Sequence, residues 1–281
     1  MSDIVCLLGR RMPGKIALIG IPYDGKSSFL KGPSEAPGKI RAALNSPSSN
    51  LWTETGLDLG EKGILSDLGD IDCSSWADPF PYIEETILRI LERDVRPIVL
   101  GGDHSITYPV IRAFGRRFKN LNVLHFDAHP DLYDELDGDR YSHACSFARI
   151  MEDKLITRLV QVGIRAMTGH QQSQADKLGV DVIEMRHLGN SLNLEFDSPL
   201  YISFDMDALD PAFAPGVSHH EPGGLSTRQV ISMIYSLNAK VVGADIVECN
   251  PRRDPLGITA TVAAKILKEI AGVCIAPFCS R

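Results

Sequence analysis

Short apolar runs alternate with amphipathic stretches along almost the whole chain. Residues 15–21 (KIALIGI), 96–100 (RPIVL), 121–126, 159–164, 181–183, 200–204 and 240–246 read as strands, with a weaker candidate at 64–68. Each run is brief, and those at 15–21, 96–100, 121–126 and 200–204 are followed by Pro, Gly or Asp, which favours a strand over a buried helix. Between them lie helix candidates at 37–44, 78–94, 105–116, 142–151, 171–178, 226–237 and 258–270. In residues 78–94 the positions Ile83, Ile87, Leu88, Ile90 and Leu91 recur at the helical period. Strand-then-helix alternation predicts an α/β protein, a three-layer αβα arrangement with a mostly parallel central sheet covered on both faces.

No internal repeat, low-complexity tract or linker interrupts this pattern. Residues 212–224 are rich in Pro and Gly, but they fall between a strand and a helix and read as a long functional loop. The chain, residues 1–281, is therefore expected to form one domain.

Composition adds bounds. With 44% hydrophobic and 23% charged residues the chain is not disordered. At 281 residues it can bury about three-quarters of its unfolded surface, so a metal site would need a chemical reason rather than a folding one. The 36 acidic against 29 basic residues (net −7) argue against a nucleic-acid binder, which needs a basic face. The same balance suits a small cationic substrate. No apolar run approaches the ~20 residues of a membrane span. The start, MSDIVCLLGRRMPGK, places its arginines after the apolar patch, unlike a secretory signal, and has too few of them for a transit peptide. Six cysteines, at 6, 73, 145, 249, 274 and 279, form no CxxC pair and read as free thiols, so a cytoplasmic location is expected.

Three predicted strands end in clusters of metal-ligand residues. Residues 96–100 run into Gly101-Gly102-Asp103-His104-Ser105, residues 121–126 into Asp127-Ala128-His129-Pro130-Asp131, and residues 200–204 into Asp205-Met206-Asp207-Ala208-Leu209-Asp210-Pro211. Ligands of open parallel sheets bind outside the carboxyl ends of the strands, so these clusters converge on one edge. Taken alone, GGDHS could be a turn in which Asp103 or Ser105 caps a helix, and DxD an ordinary acidic turn. Three together favour a site. His104, Asp127, His129, Asp131, Asp205 and Asp207 supply two imidazoles, four carboxylates and no thiolate. Four clustered carboxylates repel one another unless cations neutralise them. The donor set suits Mn²⁺ and is about right for two ions ~3.5–4 Å apart sharing bridging carboxylates. If 127–131 stays extended, the alternation D-x-H-x-D puts all three side chains on one side.

On these motifs the chain resembles the ureohydrolase family, the arginases, agmatinases and their relatives. GGDHS (101–105), DAHPD (127–131) and SFDMDALDPAFAPG (203–216) stand at the family's metal motifs, and residues 27–33 and 245–251 also match. The resemblance implies an arginase-type fold, two Mn²⁺ ions, and hydrolysis of a guanidino group by a metal-bridging hydroxide. It assigns His104 and Asp131 to one metal, His129 and Asp207 to the other, and Asp127 and Asp205 to both, with Asp131 also accepting a hydrogen bond from the hydroxide. Glu248 falls where the family holds the guanidinium, although it could instead pair with Arg252 or Arg253. His143 falls where the family places a proton-shuttling histidine. Trimers or hexamers are implied.

Residues 26–37, 142–152 and 210–224 are most similar to plant-type arginases. The threonine- and asparagine-bearing loop that animal arginases carry after DAHxD is absent; Leu132-Tyr133-Asp134-Glu135-Leu136-Asp137 stands there. Arginine, giving urea and ornithine, is favoured over agmatine, giving urea and putrescine. Another guanidino acid, a formimidoyl substrate, or an inactive metal-binding homologue with a scaffold role are the alternatives. His219 and His220 sit in a loop that faces the substrate tail or simply solvent.

Overall fold

The computed structural model describes residues 14–189 and 194–276. The reading of the first residues, Cys6, Cys279 and most of the 275–281 tail lie outside the described residues. Eight strands form one sheet: β1 (Ile16–Gly20), β2 (Leu65–Asp70), β3 (Arg96–Leu100), β4 (Asn122–Phe126), β5 (Arg158–Ile164), β6 (Asp181–Glu184), β7 (Leu200–Asp205) and β8 (Val241–Val247). Their order is β2-β1-β3-β8-β7-β4-β5-β6, and every pairing is parallel. Among the described residues, six α-helices connect the strands, α1 (Ala36–Leu44), α2 (Phe80–Leu91), α3 (Thr107–Arg117), α4 (Ser146–Glu152), α5 (Gly169–Leu178) and α6 (Thr227–Ser236), and α7 (Ile258–Ile275) follows β8.

The two-residue alternation of the strands sorts their side chains into two apolar layers. Ile16, Leu18, Ile98, Leu100 and Ile202 pack with Ile40 of α1, Ile234 of α6 and Ile266 and Ile270 of α7. Ala17, Ile19, Val99, Val123 and Tyr201 pack with Ile83 and Ile87 of α2, Phe114 of α3 and Phe147 of α4. Burial on both faces explains why the central strands read as nearly continuous apolar runs.

The sequence of strand placement creates the site. After β3 the chain skips two positions, lays down β4 and works outward through β5 and β6; β7 and β8 then fill the gap. The four central strands β3-β8-β7-β4 thus come from distant parts of the chain, and their carboxyl ends share one edge. The helix expected over 142–151 is preceded by a 3₁₀ turn, His143–Cys145. The His143 N–H there donates to the Lys26 carbonyl (3.4 Å), and the Ser146 hydroxyl donates to the His104 carbonyl (3.0 Å), so contacts to other segments shape this first turn.

Candidate metal centre

Each of three central strands ends in an aspartate that closes a small turn and turns an oxygen inward. After β3, Asp103 accepts from the Ser105 N–H (3.0 Å) and also from the Lys26 N–H (2.9 Å), strapping residues 26–28 across the edge. After β4, Asp127 Oδ1 accepts from the His129 N–H (2.6 Å), and at the end of β7 Asp205 Oδ1 accepts from the Asp207 N–H (2.8 Å). Gly102 is required by close approach: a Cβ there would collide with the Tyr23 carbonyl.

The structure brings the six ligand candidates together. His104 Nδ1 lies 3.3 Å from Asp127 Oδ2, 3.1 Å from Asp131 Oδ2 and 3.1 Å from Asp205 Oδ2. His129 Nδ1 lies 3.1 Å from Asp207 Oδ2 and 3.4 Å from Asp127 Oδ1. Asp127 therefore faces both imidazoles. Residues 127–131 do not stay extended as the alternation suggested. β4 stops at Phe126, and Asp131 adopts a left-handed backbone (φ 50°) that redirects its carboxylate to His104. Glu248, after β8, is also left-handed (φ 61°). Such strain in non-glycine residues persists only where the surroundings fix it.

The electrostatics show a shortage of positive charge. Among the described residues no lysine or arginine pairs with the four carboxylates. Burial, then Asp207 and Asp127, push the Asp205 carboxyl well up; burial, then Asp127, raise Asp131 to about 6. Burial disfavours a charged His129, but Asp207 and Asp127 outweigh it and raise its pKa. Without another cation the cluster gathers protons instead.

Hydrogen bonds beneath the cluster leave one nitrogen free to ligate. The fully buried Asp245 accepts from Thr107 Oγ1 (2.8 Å), Tyr201 OH (2.9 Å) and Ser203 Oγ (2.7 Å). Ser203 has one hydrogen, spent on Asp245, so its oxygen accepts from His104 Nε2–H (3.0 Å). His104 Nδ1 then carries a lone pair, and this buried atom lies among three carboxylates with no aligned hydrogen-bond partner. An orphaned nitrogen aimed at clustered oxygens fits a metal ligand. His125 is different, although it sits near His104 and Asp127. Gln161 Nε2 donates to its Nδ1 (3.0 Å), so its Nε2–H donates to Asp127 Oδ2 (2.8 Å). Burial lowers its pKa to about 4; it is a neutral donor that orients Asp127.

Glu248 Oε1 accepts from the His104 N–H (2.9 Å) and from His143 Nδ1 (2.8 Å), and Glu248 lines the cavity. Neither Arg252 nor Arg253 takes it; Arg252 pairs with Glu35 (2.7 Å). Burial raises the Glu248 carboxyl, but the His143 ring and the His104 N–H outweigh it and hold it low. His143 Nε2 receives the Ser28 N–H (3.2 Å) and lies 2.8 Å from Ser28 Oγ. Burial opposes charge on this ring, Glu248 favours it, and the net is a pKa of about 9. Charge and geometry pull apart here: a pKa of about 9 favours the protonated ring at neutral pH, whereas the Ser28 N–H, which can only donate, meets a bare Nε2, so a proton gained there displaces that contact. A cavity of 210 Å³ opens outward from these groups, its outer wall carrying Tyr133, Leu136, Gln171 and His219. Of the two loop histidines only His219 lines it, with Phe29 at 5.5 Å; the His220 ring meets the Pro215 carbonyl elsewhere.

Residues 14–272 match the family model described as "Arginase family". The chain belongs to the arginase family. Members are ureohydrolases with a binuclear metal centre, which is what the charge-deficient cluster of this arginase-family chain is built to hold. Mitochondrial arginase 1 of Arabidopsis thaliana is 46% identical over 96% of this chain and 84% of its own length. Guanidinobutyrase of Pseudomonas aeruginosa is 32% identical over 93% of this chain and 86% of its own. The solved arginase of Medicago truncatula superposes with a TM-score of 0.88 at 39% identity, covering 97% of this chain and 93% of that one.

One expectation is overturned. The plant arginases named as mitochondrial, or as chloroplastic and mitochondrial, point away from a plain cytoplasmic location. The thiols that suggested a reducing cytosol do not discriminate, because Cys73, Cys145, Cys249 and Cys274 are all buried, each as a free thiol. The sequence reading gave no role to Ser203, Asp245, Ser28, His125 or Gln161; the first three lie in the matching segments 203–216, 245–251 and 27–33, His125 lies two residues before Asp127 at the strand period, and Gln161 carried no signal.

Proposed function

We propose that this chain is a manganese-dependent ureohydrolase that converts L-arginine to urea and ornithine. The observation carrying the chemistry is the convergence of four carboxylates and two imidazoles, unopposed by any lysine or arginine among the described residues, beneath a cavity lined by Glu248 and His143. The substrate rests on 46–47% identity to plant arginases over at least 90% of the chain, against 32% to the guanidinobutyrase.

His104 and Asp131 would hold one ion, His129 and Asp207 the other, with Asp127 and Asp205 shared. Oxygen-rich ligation with two imidazoles suits Mn²⁺. A bound metal pair lowers the pKa of water and so provides a nucleophile at neutral pH. The protein's own groups do the rest. Glu248 pairs with the guanidinium N–H fork and fixes its plane. Asp131 accepts a hydrogen bond from the attacking water. The oxygen adds to the guanidinium carbon and the bond to the chain nitrogen breaks; both protons of the water end on that leaving nitrogen, one relayed through Asp131 and the other through His143 Nε2, which must take up its proton before passing it on. Ser28, held through residues 26–28 by Asp103, keeps the ring in place. One ureohydrolase domain over 1–281, assembled as trimers or hexamers, completes the reading; light scattering tests the assembly.

Urea release from arginine, agmatine and 4-guanidinobutyrate with added Mn²⁺ tests it. Arginine should exceed the others in kcat/KM by at least about tenfold. Preference for agmatine or the guanidino acid would replace the substrate, formamide from a formimidoyl compound would replace the reaction, and silence on all with substoichiometric manganese would indicate a scaffold.

A further inference from the structure

Arginine and agmatine are identical at the guanidinium and differ at the tail, where only arginine carries a carboxylate. The wall that meets the tail has no lysine or arginine among the described lining residues, so any recognition of that carboxylate falls to neutral donors. Gln171 is equipped for it. It is the third residue of α5, closing a capping box with Thr168. Its Oε1 accepts from the Thr168 N–H (3.1 Å) and hydroxyl (3.2 Å), while its own N–H donates to Thr168 Oγ1 (3.3 Å). A backbone N–H can only donate, so the amide oxygen must face Thr168 and the amide cannot flip. Nε2 then points away from the cap, and no described residue accepts from it. Gln171 is only 2% exposed, and the opening it borders is the cavity.

α6 supplies an internal comparison. Gln229 closes the same capping box with Ser226, yet it is exposed and its spare donors face water. At Gln171 the same device is turned onto the cavity wall, so its two spare N–H donors face the space a substrate tail would fill and would exchange water there for a ligand acceptor.

We propose that Gln171 Nε2 donates to the tail carboxylate of an amino-acid substrate and is a specificity-determining residue for arginine over agmatine. This rests on the guanidino-hydrolase reading, and the test separates the two. Gln171→Glu keeps the capping oxygen, because glutamate closes the box as well as glutamine, but replaces the inward NH₂ by an oxygen that repels a carboxylate. The ratio of kcat/KM for arginine over agmatine should fall at least about tenfold, with the arginine loss residing in KM. In calorimetry the variant should lose at least about tenfold in affinity for ornithine, which keeps the carboxylate, relative to putrescine, which lacks it. A melting temperature near wild type would show that the cap survives; Gln171→Met, which lacks both amide atoms, should lower the same ratios less than Gln171→Glu while losing thermal stability. Equal effects on both members of either pair, or none, overturn the assignment. A wild type that hydrolyses no guanidino compound, yet prefers ornithine through Gln171, would remove the function and leave the tail contact standing.

Discussion

Two charge clusters in this molecule are built to opposite rules. Near the carboxyl end of α7, Glu54 and Glu269 are matched by Arg228 and Lys265: Arg228 lies 2.7 Å and Lys265 3.0 Å from Glu54, and Lys265 also meets Glu269. At the sheet edge, four carboxylates face two imidazoles and no fixed cation. The first cluster is neutral on its own terms, so that even the fully buried Glu269 has a fixed cation beside it. The second is buried and balanced only if positive charge arrives from outside. Counting which carboxylates lack a fixed partner therefore separates a binding centre from a structural ion pair more sharply than counting acidic residues does.

The largest effect should come from removing Asp127, the carboxylate that faces both imidazoles and is proposed to be shared by the two ions. Asp127→Ala should abolish urea release and manganese uptake, a loss well beyond the roughly 10–100-fold that an outer support is worth; elemental analysis and a urea assay check it. Next, chelation should lower the melting temperature of the wild type, and Mn²⁺ at about 100 times its Kd should restore about 2.7 kcal/mol. Asp205→Asn, by contrast, should raise the melting temperature of the metal-free protein, because it relieves repulsion from Asp207 and Asp127, while weakening manganese binding. A variant that melts lower in both states would show that the carboxylates are not in conflict.

Asp245→Asn should be milder still. It turns one carboxylate oxygen into NH₂; with Thr107 and Tyr201 both donating to Oδ2, the amide oxygen stays there and the NH₂ faces Ser203, whose hydroxyl loses its acceptor and no longer fixes the His104 ring, so metal affinity should fall about 10–100-fold in calorimetry without loss of fold. The smallest effect belongs to the matched cluster. Arg228→Ala should leave urea release untouched and slightly lower the melting temperature, a difference that added salt erases. Arg228 first, and Lys265 next, hold the Glu54 carboxyl at about 2, below its ordinary 4.5. The contribution of that pairing is complete above pH 4.5 and disappears as pH falls toward 2, so variant and wild type should converge in acid.

Features that depend on one strand and its own turn were legible beforehand. The positions of the eight strands and the ligand candidates at three strand ends follow from local periodicity and residue type. What was hidden depends on several elements at once. Asp245 lies in a recognisable motif, but its importance comes from hydroxyls on α3 and β7, which no spacing in the sequence pairs with it. The left-handed turn at Asp131 replaces an extended segment because its carboxylate must reach His104 rather than continue the alternation. His219 and His220 are neighbours of the same type, and only the path of the loop separates the one lining the cavity from the one outside it. Gln171 belongs to an ordinary capping box until its surroundings show that one end of the amide is enclosed.

The strand order has a further consequence for how the molecule comes into being. β3 and β4 emerge from the ribosome early, yet they are separated in the finished sheet by β7 and β8, a gap of three interstrand spacings or about 14 Å. Until residues 200–247 are synthesised, both early strands present open edges of the kind that invite mispairing and aggregation. Chaperone demand should therefore peak late in translation, and a chain truncated before β7 should be insoluble rather than merely inactive.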